Sequence, residues 1–296
     1  MRKNRLIALL LCAALALAAS TAVLALELPA RAEVRSGVDV SANDKASVDW
    51  SNISEGFIGV RYTGGKNVRI KVQITRNGGV TYTYDLNNAG IEETFPLVEG
   101  DGSYTVKVFE NTSGTRYAQA FSTKLDMKLR SEFLPFLYPN QYVNYTEDSQ
   151  TVKVAAEITG GVEKDIDKVG EVYRYVVKNI SYDYNKINTL SSDYVPAVDE
   201  ILEQKTGICF DYAAVMAAML RSQGVPCKLI VGYAGTVYHA WVNVYIQGQG
   251  WIDKAIYFDG QNWKLMDPTF ASTGHSSPAI VSYINDAANY TQRYAY

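Results

Sequence analysis

Apolar residues change their spacing near residue 130, and that change limits the chain to a sheet region followed by a region of mixed helix and strand. Between residues 56 and 129 apolar positions alternate with polar ones. Val68, Ile70, Val72 and Ile74 make one such run, and Val80, Tyr82, Tyr84 and Leu86 make another after Gly78-Gly79. A period of two belongs to a strand with one buried face, and a glycine pair between two such runs marks a hairpin. Tyr104, Val106 and Val108 give a further strand between Gly102 and Asn111. Roughly six or seven strands at this spacing predict a small antiparallel β-sandwich. Its charged residues are scattered and form no catalytic cluster, so the region reads as a binding or spacing module.

Residues 130–145 hold Pro135, Pro139 and several aromatics, which suits a packed connector. After Gly160-Gly161, Ile166, Val169, Val172, Tyr173, Val176, Val177 and Ile180 recur at helical spacing and predict an amphipathic helix. A second helix is expected with Pro196 at its first position. A third should run from Cys209 to about Gln223, stopped by Gly224-Val225-Pro226. Strands are expected over 228–233, 239–247, 255–259 and 263–267. Helices followed by a run of strands indicate an α+β domain. The expected organisation is a sandwich over 33–130 and a connector plus α+β domain over 131–296.

Residues 1–32 read as a secretory leader. Arg2, Lys3 and Arg5 precede an uncharged run from Leu6 to Leu26, and Ala30 and Ala32 offer a small-x-small cleavage pattern before Glu33. The run reaches the roughly 20 apolar residues that span a bilayer, so an uncleaved anchor is the alternative and would be the chain's one membrane attachment. Cys12 follows Leu11 rather than a small residue, which argues against lipid attachment. Either way a secreted or cell-surface location is expected. Of the chain's 28 Lys plus Arg and 31 Asp plus Glu, the leader holds four and one, leaving a net charge of about −6. Nucleic acid is therefore not an expected partner. Beyond the leader only Cys209 and Cys227 remain, too few for a disulfide-dense scaffold.

Cys209 follows the Gly207 turn and opens a long apolar helix. The unpaired N–H groups and dipole of a helix start favour a negative sulfur, and the thiolate is the nucleophile. A nucleophilic thiol needs a base within reach. After the leader the histidines are His239 and His275; His239 opens an alternating, strand-like run, whereas His275 lies in the loop-like Thr273-Gly274-His275-Ser276-Ser277. A third group must orient the imidazole, and Asp267, at the end of Trp263-Lys264-Leu265-Met266 and before Pro268, can do so.

Four segments in order carry a resemblance: Gly207-Ile208-Cys209-Phe210-Asp211-Tyr212-Ala213, the stretch 221–233 with Gly224-Val225-Pro226 and Gly232-Tyr233, His239-Ala240-Trp241, and Asp267-Pro268-Thr269. They resemble the successive motifs of the transglutaminase-like superfamily, with a weaker likeness back to Asp165. The resemblance implies a papain-like fold, Cys209 as nucleophile, His239 as base and Asp267 as orienter. Transglutaminases place an indole upstream of the nucleophile to stabilise the oxyanion; the similar stretch 194–199 offers the hydroxyl of Tyr194 here, with Tyr in place of Trp.

Other uses of these residues fit less well. Cys209, Cys227, His239 and His275 match no zinc-finger spacing. A helix of about 14 residues between the cysteines would hold them about 20 Å apart, against the roughly 7 Å limit of a disulfide. Acidic residues form no EF-hand pattern, and no cofactor is implied. The expected function is thiol-dependent acyl chemistry on a protein or peptide amide, including cell-wall or surface protein. Hydrolysis, as a cysteine peptidase or amidase, is favoured because the stretch after Asp267 is short for building a water-excluding tunnel. Protein-glutamine cross-linking and a catalytically silent surface-binding role are the alternatives.

Overall fold

The computed structural model describes residues 37–252, 256–258, 263–265 and 289–296. The expectations for the leader, Asp267 and His275 lie outside the described residues.

Eight strands form two four-stranded antiparallel sheets. They are β1 (Val40–Ala42), β2 (Ala46–Asp49), β3 (Phe57–Tyr62), β4 (Ile70–Arg76), β5 (Thr81–Leu86), β6 (Glu93–Pro96), β7 (Gly102–Ser113) and β8 (Arg116–Met127). One sheet has the order β1-β2-β3-β6 and the other β5-β4-β7-β8. The alternation is realised in burial: Ile70, Val72 and Ile74 point into the core from β4, opposite Leu86, Tyr84 and Tyr82 of β5. The two additional strands, β1 and β2, are too short to show a period in sequence.

The connector is packed, as its aromatics predict. Leu134, Phe136, Leu137, Tyr138, Val143 and Tyr145 are buried. Arg221, itself 2 % exposed, donates to the carbonyls of Tyr138 (2.8 Å), Cys227 (2.9 Å) and Tyr296 (2.7 Å). One buried guanidinium thus ties the connector to three other parts of the chain.

Four α-helices follow among the described residues. α1 (Gln150–Ile158) had no clear signal, for a physical reason: its free N–H groups are capped from a distance. The Asp199 carboxylate accepts from the backbone of Gln150 (3.1 Å) and Thr151 (2.8 Å) and from the Thr151 hydroxyl (2.6 Å). α2 (Asp165–Asn179) is the amphipathic helix expected, burying Val169, Val172 and Val176. α3 (Val198–Gln204) starts two residues after Pro196 rather than on it; Ala197 is still extended, and the helix turns where Val198, Ile201 and Leu202 reach the core. β9 (Ser181–Tyr182) and β10 (Thr206–Gly207) pair in parallel, which sets the chain after α2 beside the start of α4 (Cys209–Ser222). α4 is buried along nearly its whole length from Asp211 to Ser222.

α4 packs on an antiparallel sheet of order β13-β12-β11-β16, formed by β11 (Cys227–Ala234), β12 (Val237–Ile246), β13 (Gly250–Ile252) and β16 (Tyr290–Ala295). β14 (Ile256–Phe258) and β15 (Trp263–Leu265) make a separate pair. β12 begins at Val237, so His239 is its third residue and not its first. Val237 and Tyr238 are exposed although paired to Ala234 and Tyr233, and unbroken burial from His239 to Val244 starts only after them. The architecture is α+β, with the N-terminal sheets preceding the helical and sheet core. No helix among the described residues is long and apolar enough to cross a membrane.

Candidate active site

The start of α4 is built by Gly207, Ile208 and Asp211. Ile208 is extended (φ −101°, ψ 177°) and its N–H donates to Asp211 Oδ2 at 2.9 Å. This is the acidic half of a capping box; the Ile208 side chain has no atom to complete the other half. Asp211 lies folded beneath the turn. A Cβ on Gly207 would sit 2.7 Å from Asp211 Cβ and 2.9 Å from its Oδ2, so the glycine is required for the carboxylate to fit. The spacing Gly207, Cys209, Asp211 therefore describes one local device: a turn, a thiol on the first helical residue and a cap that fixes the turn.

Asp211 is fully buried and its charge is met by Lys186, whose Nζ donates to Oδ2 at 2.6 Å. The Tyr194 hydroxyl donates to Oδ1 at 2.5 Å and accepts from Lys186 Nζ at 2.6 Å. The three side chains close a ring of hydrogen bonds. Burial, and then the neighbouring Asp211 charge, hold the Tyr194 phenol well above its ordinary range, so it keeps its proton. In this arrangement that proton is given to Asp211.

His239 comes from the adjacent sheet. It is 6 % exposed, pairs across to Gly232, and packs near Trp241 and Tyr290, with ring centroids 6.4 and 6.5 Å away. Gly232 is needed at this crossing: a Cβ would lie 2.1 Å from the Thr291 carbonyl oxygen and 2.9 Å from the Trp241 ring. The glycine lets β16 close against β11, which fixes the aromatic bed on which His239 rests.

Cys209, His239 and Tyr194 line one cleft of about 330 Å³. Its other described walls are mostly aromatic or apolar, from Tyr142 of the connector, Phe210 of α4, Tyr238 of β12 and Ile187 and Leu190 of the segment after β9, with the hydroxyls of Ser191 and Ser192 beside them. Cys209 is half-buried at the mouth of α4, while Cys227 is fully buried at the start of β11; both are free. Burial pushes the Cys227 thiol up to about 12, which keeps it protonated and inert. Among the described residues no group of three or more His, Cys, Asp or Glu could hold a metal ion.

Sequence reasoning missed Lys186 and gave Asp211 no role of its own. Asp211 was findable, since an acid three residues after an extended residue at a helix start is a capping signal. Lys186 sits on a short 3-10 turn, Lys186–Asn188, where no periodicity marks it.

Residues 152–254 match the model of the transglutaminase-like superfamily, a stretch that contains Cys209 and His239 and ends before Asp267. The chain is 26 % identical over 191 residues to YebA, an uncharacterized protein of Bacillus subtilis, covering 56 % of this chain and 25 % of that protein. It is 31 % identical over 68 residues to a protein-glutamine gamma-glutamyltransferase of Pseudomonas aeruginosa, covering 18 % of this chain and 10 % of that protein. The chain thus spans a quarter or less of the length of these two relatives. A crystal structure from Cytophaga hutchinsonii, described as a candidate cysteine protease, superposes with TM-score 0.41 at 14 % identity, covering 87 % of this chain and 83 % of that one. Red sea bream transglutaminase superposes with TM-score 0.30 at 13 % identity, covering 77 % and 53 %.

Proposed function

We propose that the transglutaminase-like domain this chain carries over residues 152–254 is a thiol-dependent acyl-transfer enzyme acting on protein or peptide amides, with hydrolysis as its main outcome. The observation that supports this most is the convergence of Cys209, on the first residue of α4, and His239, on β12, in one cleft. A thiol at a helix start and an imidazole on a facing strand are the two groups that split an amide.

In this reading His239 takes the Cys209 proton and the sulfur attacks the amide carbonyl. Oxygen takes up the negative charge, and the N–H groups of the first turn of α4 are the donors placed to meet it. When the C–N bond breaks, His239 returns its proton to the departing nitrogen. A thioester to Cys209 is left. Water, activated by His239, then releases the acyl group as a carboxylic acid and restores the thiol. Asp267 is assigned to orient the imidazole. Tyr194 is the candidate oxyanion donor carried from the sequence, and serving so would require its hydroxyl to turn from Asp211.

If an amine replaces water, the same thioester gives cross-linking; the gamma-glutamyltransferase likeness motivates that second reading. The leader of residues 1–32 places the enzyme outside the cytoplasm in this proposal, with surface or cell-wall proteins as substrates. The experiment is to offer casein and cell-wall peptides with a labelled primary amine at millimolar concentration. New termini or deamidation that vanish in Cys209→Ala support hydrolysis. Amine incorporation that dominates and vanishes in the same variant establishes the cross-linking reading, and no turnover of either kind leaves a binding protein.

A further inference from the structure

The described walls of the cleft are aromatic and apolar apart from Cys209, His239, Ser191 and Ser192. Among the described residues that line it there is no Asp, Glu, Lys or Arg. Large apolar side chains are also left in water beside it. Of eight exposed large hydrophobics among the described residues, Ile187 (47 % exposed) and Tyr238 (55 %) line the cleft itself, and Tyr184 and Val237 lie on the same two segments. Scattered exposed apolar residues need no explanation, but a group gathered on both sides of one cleft marks a binding surface.

One of those segments is held in place. Lys186 donates to both Asp211 and Tyr194, so the stretch that carries Ile187 and Leu190 is tied at both ends to the start of α4. The wall is therefore presented rigidly toward Cys209. A charged side chain entering it would be stripped of water and meet no Asp, Glu, Lys or Arg among the described lining residues, whereas an apolar one would cover Ile187, Leu190 and Tyr238.

From this we infer that the cleft selects extended peptide segments with bulky apolar side chains beside the attacked amide, and that Lys186 is a positioning residue for that selection. The inference rests on the acyl-transfer reading of Cys209. It goes beyond that reading by naming the substrate class.

The test uses two alkylating probes on the intact protein. Iodoacetamide reports whether the Cys209 thiol reacts at all. Dipeptidyl chloromethyl ketones, from which the Cys209 sulfur displaces chloride, report selection, with Leu-Phe set against Glu-Lys and Lys-Lys. The apolar reagent is expected to inactivate at least tenfold faster. Ile187→Ser, an uncharged change at an exposed position, should cut that preference at least threefold, each ketone rate being divided by the variant's own iodoacetamide rate to remove any change in thiol reactivity. Lys186→Met should also lower the preference, with Lys186→Arg retaining more of it. Equal rates for the three ketones, or a preference for the charged ones, with iodoacetamide labelling intact, would overturn the inference and leave the acyl-transfer reading standing. A Cys209 that resists iodoacetamide would overturn both.

Discussion

Replacing Asp211 by Asn isolates the buried acid under the nucleophile turn. The carboxylate accepts three hydrogen bonds, from Lys186 Nζ, the Tyr194 hydroxyl and the Ile208 N–H, and is fully buried. An amide keeps one acceptor oxygen for Lys186 and Ile208 and turns an NH₂ group toward the Tyr194 hydroxyl, which then has to accept where it now donates. It also leaves the Lys186 ammonium without its counter-charge. Breaking a buried ion pair from one side costs about 3–5 kcal/mol. Lys186 is a quarter exposed and regains some hydration, so the lower end applies, about 3 kcal/mol.

For a chain of this size such a loss lowers the melting temperature by about 6–12 °C. The assay is urea unfolding of the parent, Asp211→Asn, Lys186→Met and the double variant. The two single changes should be non-additive by about 2 kcal/mol, because each removes the same pair. Asp211→Asn within about 0.5 kcal/mol of the parent, or strictly additive single changes, would refute the claim that this pair fixes the turn.

Mild iodoacetamide near neutral pH should label Cys209 and spare Cys227, whose thiol is buried and pushed up to about 12; peptide mapping by mass spectrometry reads the ratio, and equal labelling in the folded protein would contradict it. Asp267→Asn should leave circular dichroism unchanged and lower turnover by at least about a hundredfold, since the amide favours the wrong imidazole tautomer, whereas an unfolded variant would mark Asp267 as structural. Glu55 gives a pH prediction. The Arg130 guanidinium, bonded at 2.8 and 2.7 Å, holds its carboxyl below the ordinary 4.5 against an opposing push from burial. The unfolded chain binds this proton more readily, so the stabilisation is complete above about pH 4.5 and is lost as pH falls through the lowered folded value. Glu55→Gln should therefore be less stable than the parent at pH 7, with the gap narrowing as pH falls below about 4.5; a gap that does not narrow on acidification would contradict the assignment.

What could be read from the sequence was what local periodicity encodes. α2 announced itself because its apolar residues repeat at helical spacing, α4 because a long apolar run lies between a glycine turn and Gly224-Val225-Pro226, and β4 and β5 because their apolar residues alternate. α1 did not, because its cap is Asp199 from the start of another helix. The start of β12 was misplaced by two residues because Val237 and Tyr238 are apolar yet exposed, which hides the boundary between hairpin and core. At the candidate site, Cys209 and His239 were legible from a glycine turn before an apolar helix and a histidine on an alternating strand. Lys186 was not, since it acts through a contact 25 residues along the chain.

The N-terminal sheets read in sequence as a binding or spacing module without a catalytic cluster, and their contacts give them a part in supporting the cleft. Tyr82 and Tyr84 of β5 stack edge-on against Tyr296 at 5.7 and 5.8 Å. Tyr84 also reaches Tyr142 at 5.6 Å, and Tyr142 meets both Tyr296 at 4.8 Å and Phe210 at 5.3 Å. Phe210 is the residue after Cys209. An unbroken line of rings therefore runs from the sheet region through the connector to the first turn of α4. Each such pair adds about 0.5–1.5 kcal/mol beyond the area it buries. Tyr142 and Tyr296 are at the same time walls of the cleft, so the rings that brace the nucleophile turn also shape what can approach it. Four of the chain's 22 tyrosines, Tyr82, Tyr84, Tyr142 and Tyr296, thus form a specific joint. It follows that the cleft's shape depends on the face of β5 as well as on the helix and strand that carry Cys209 and His239.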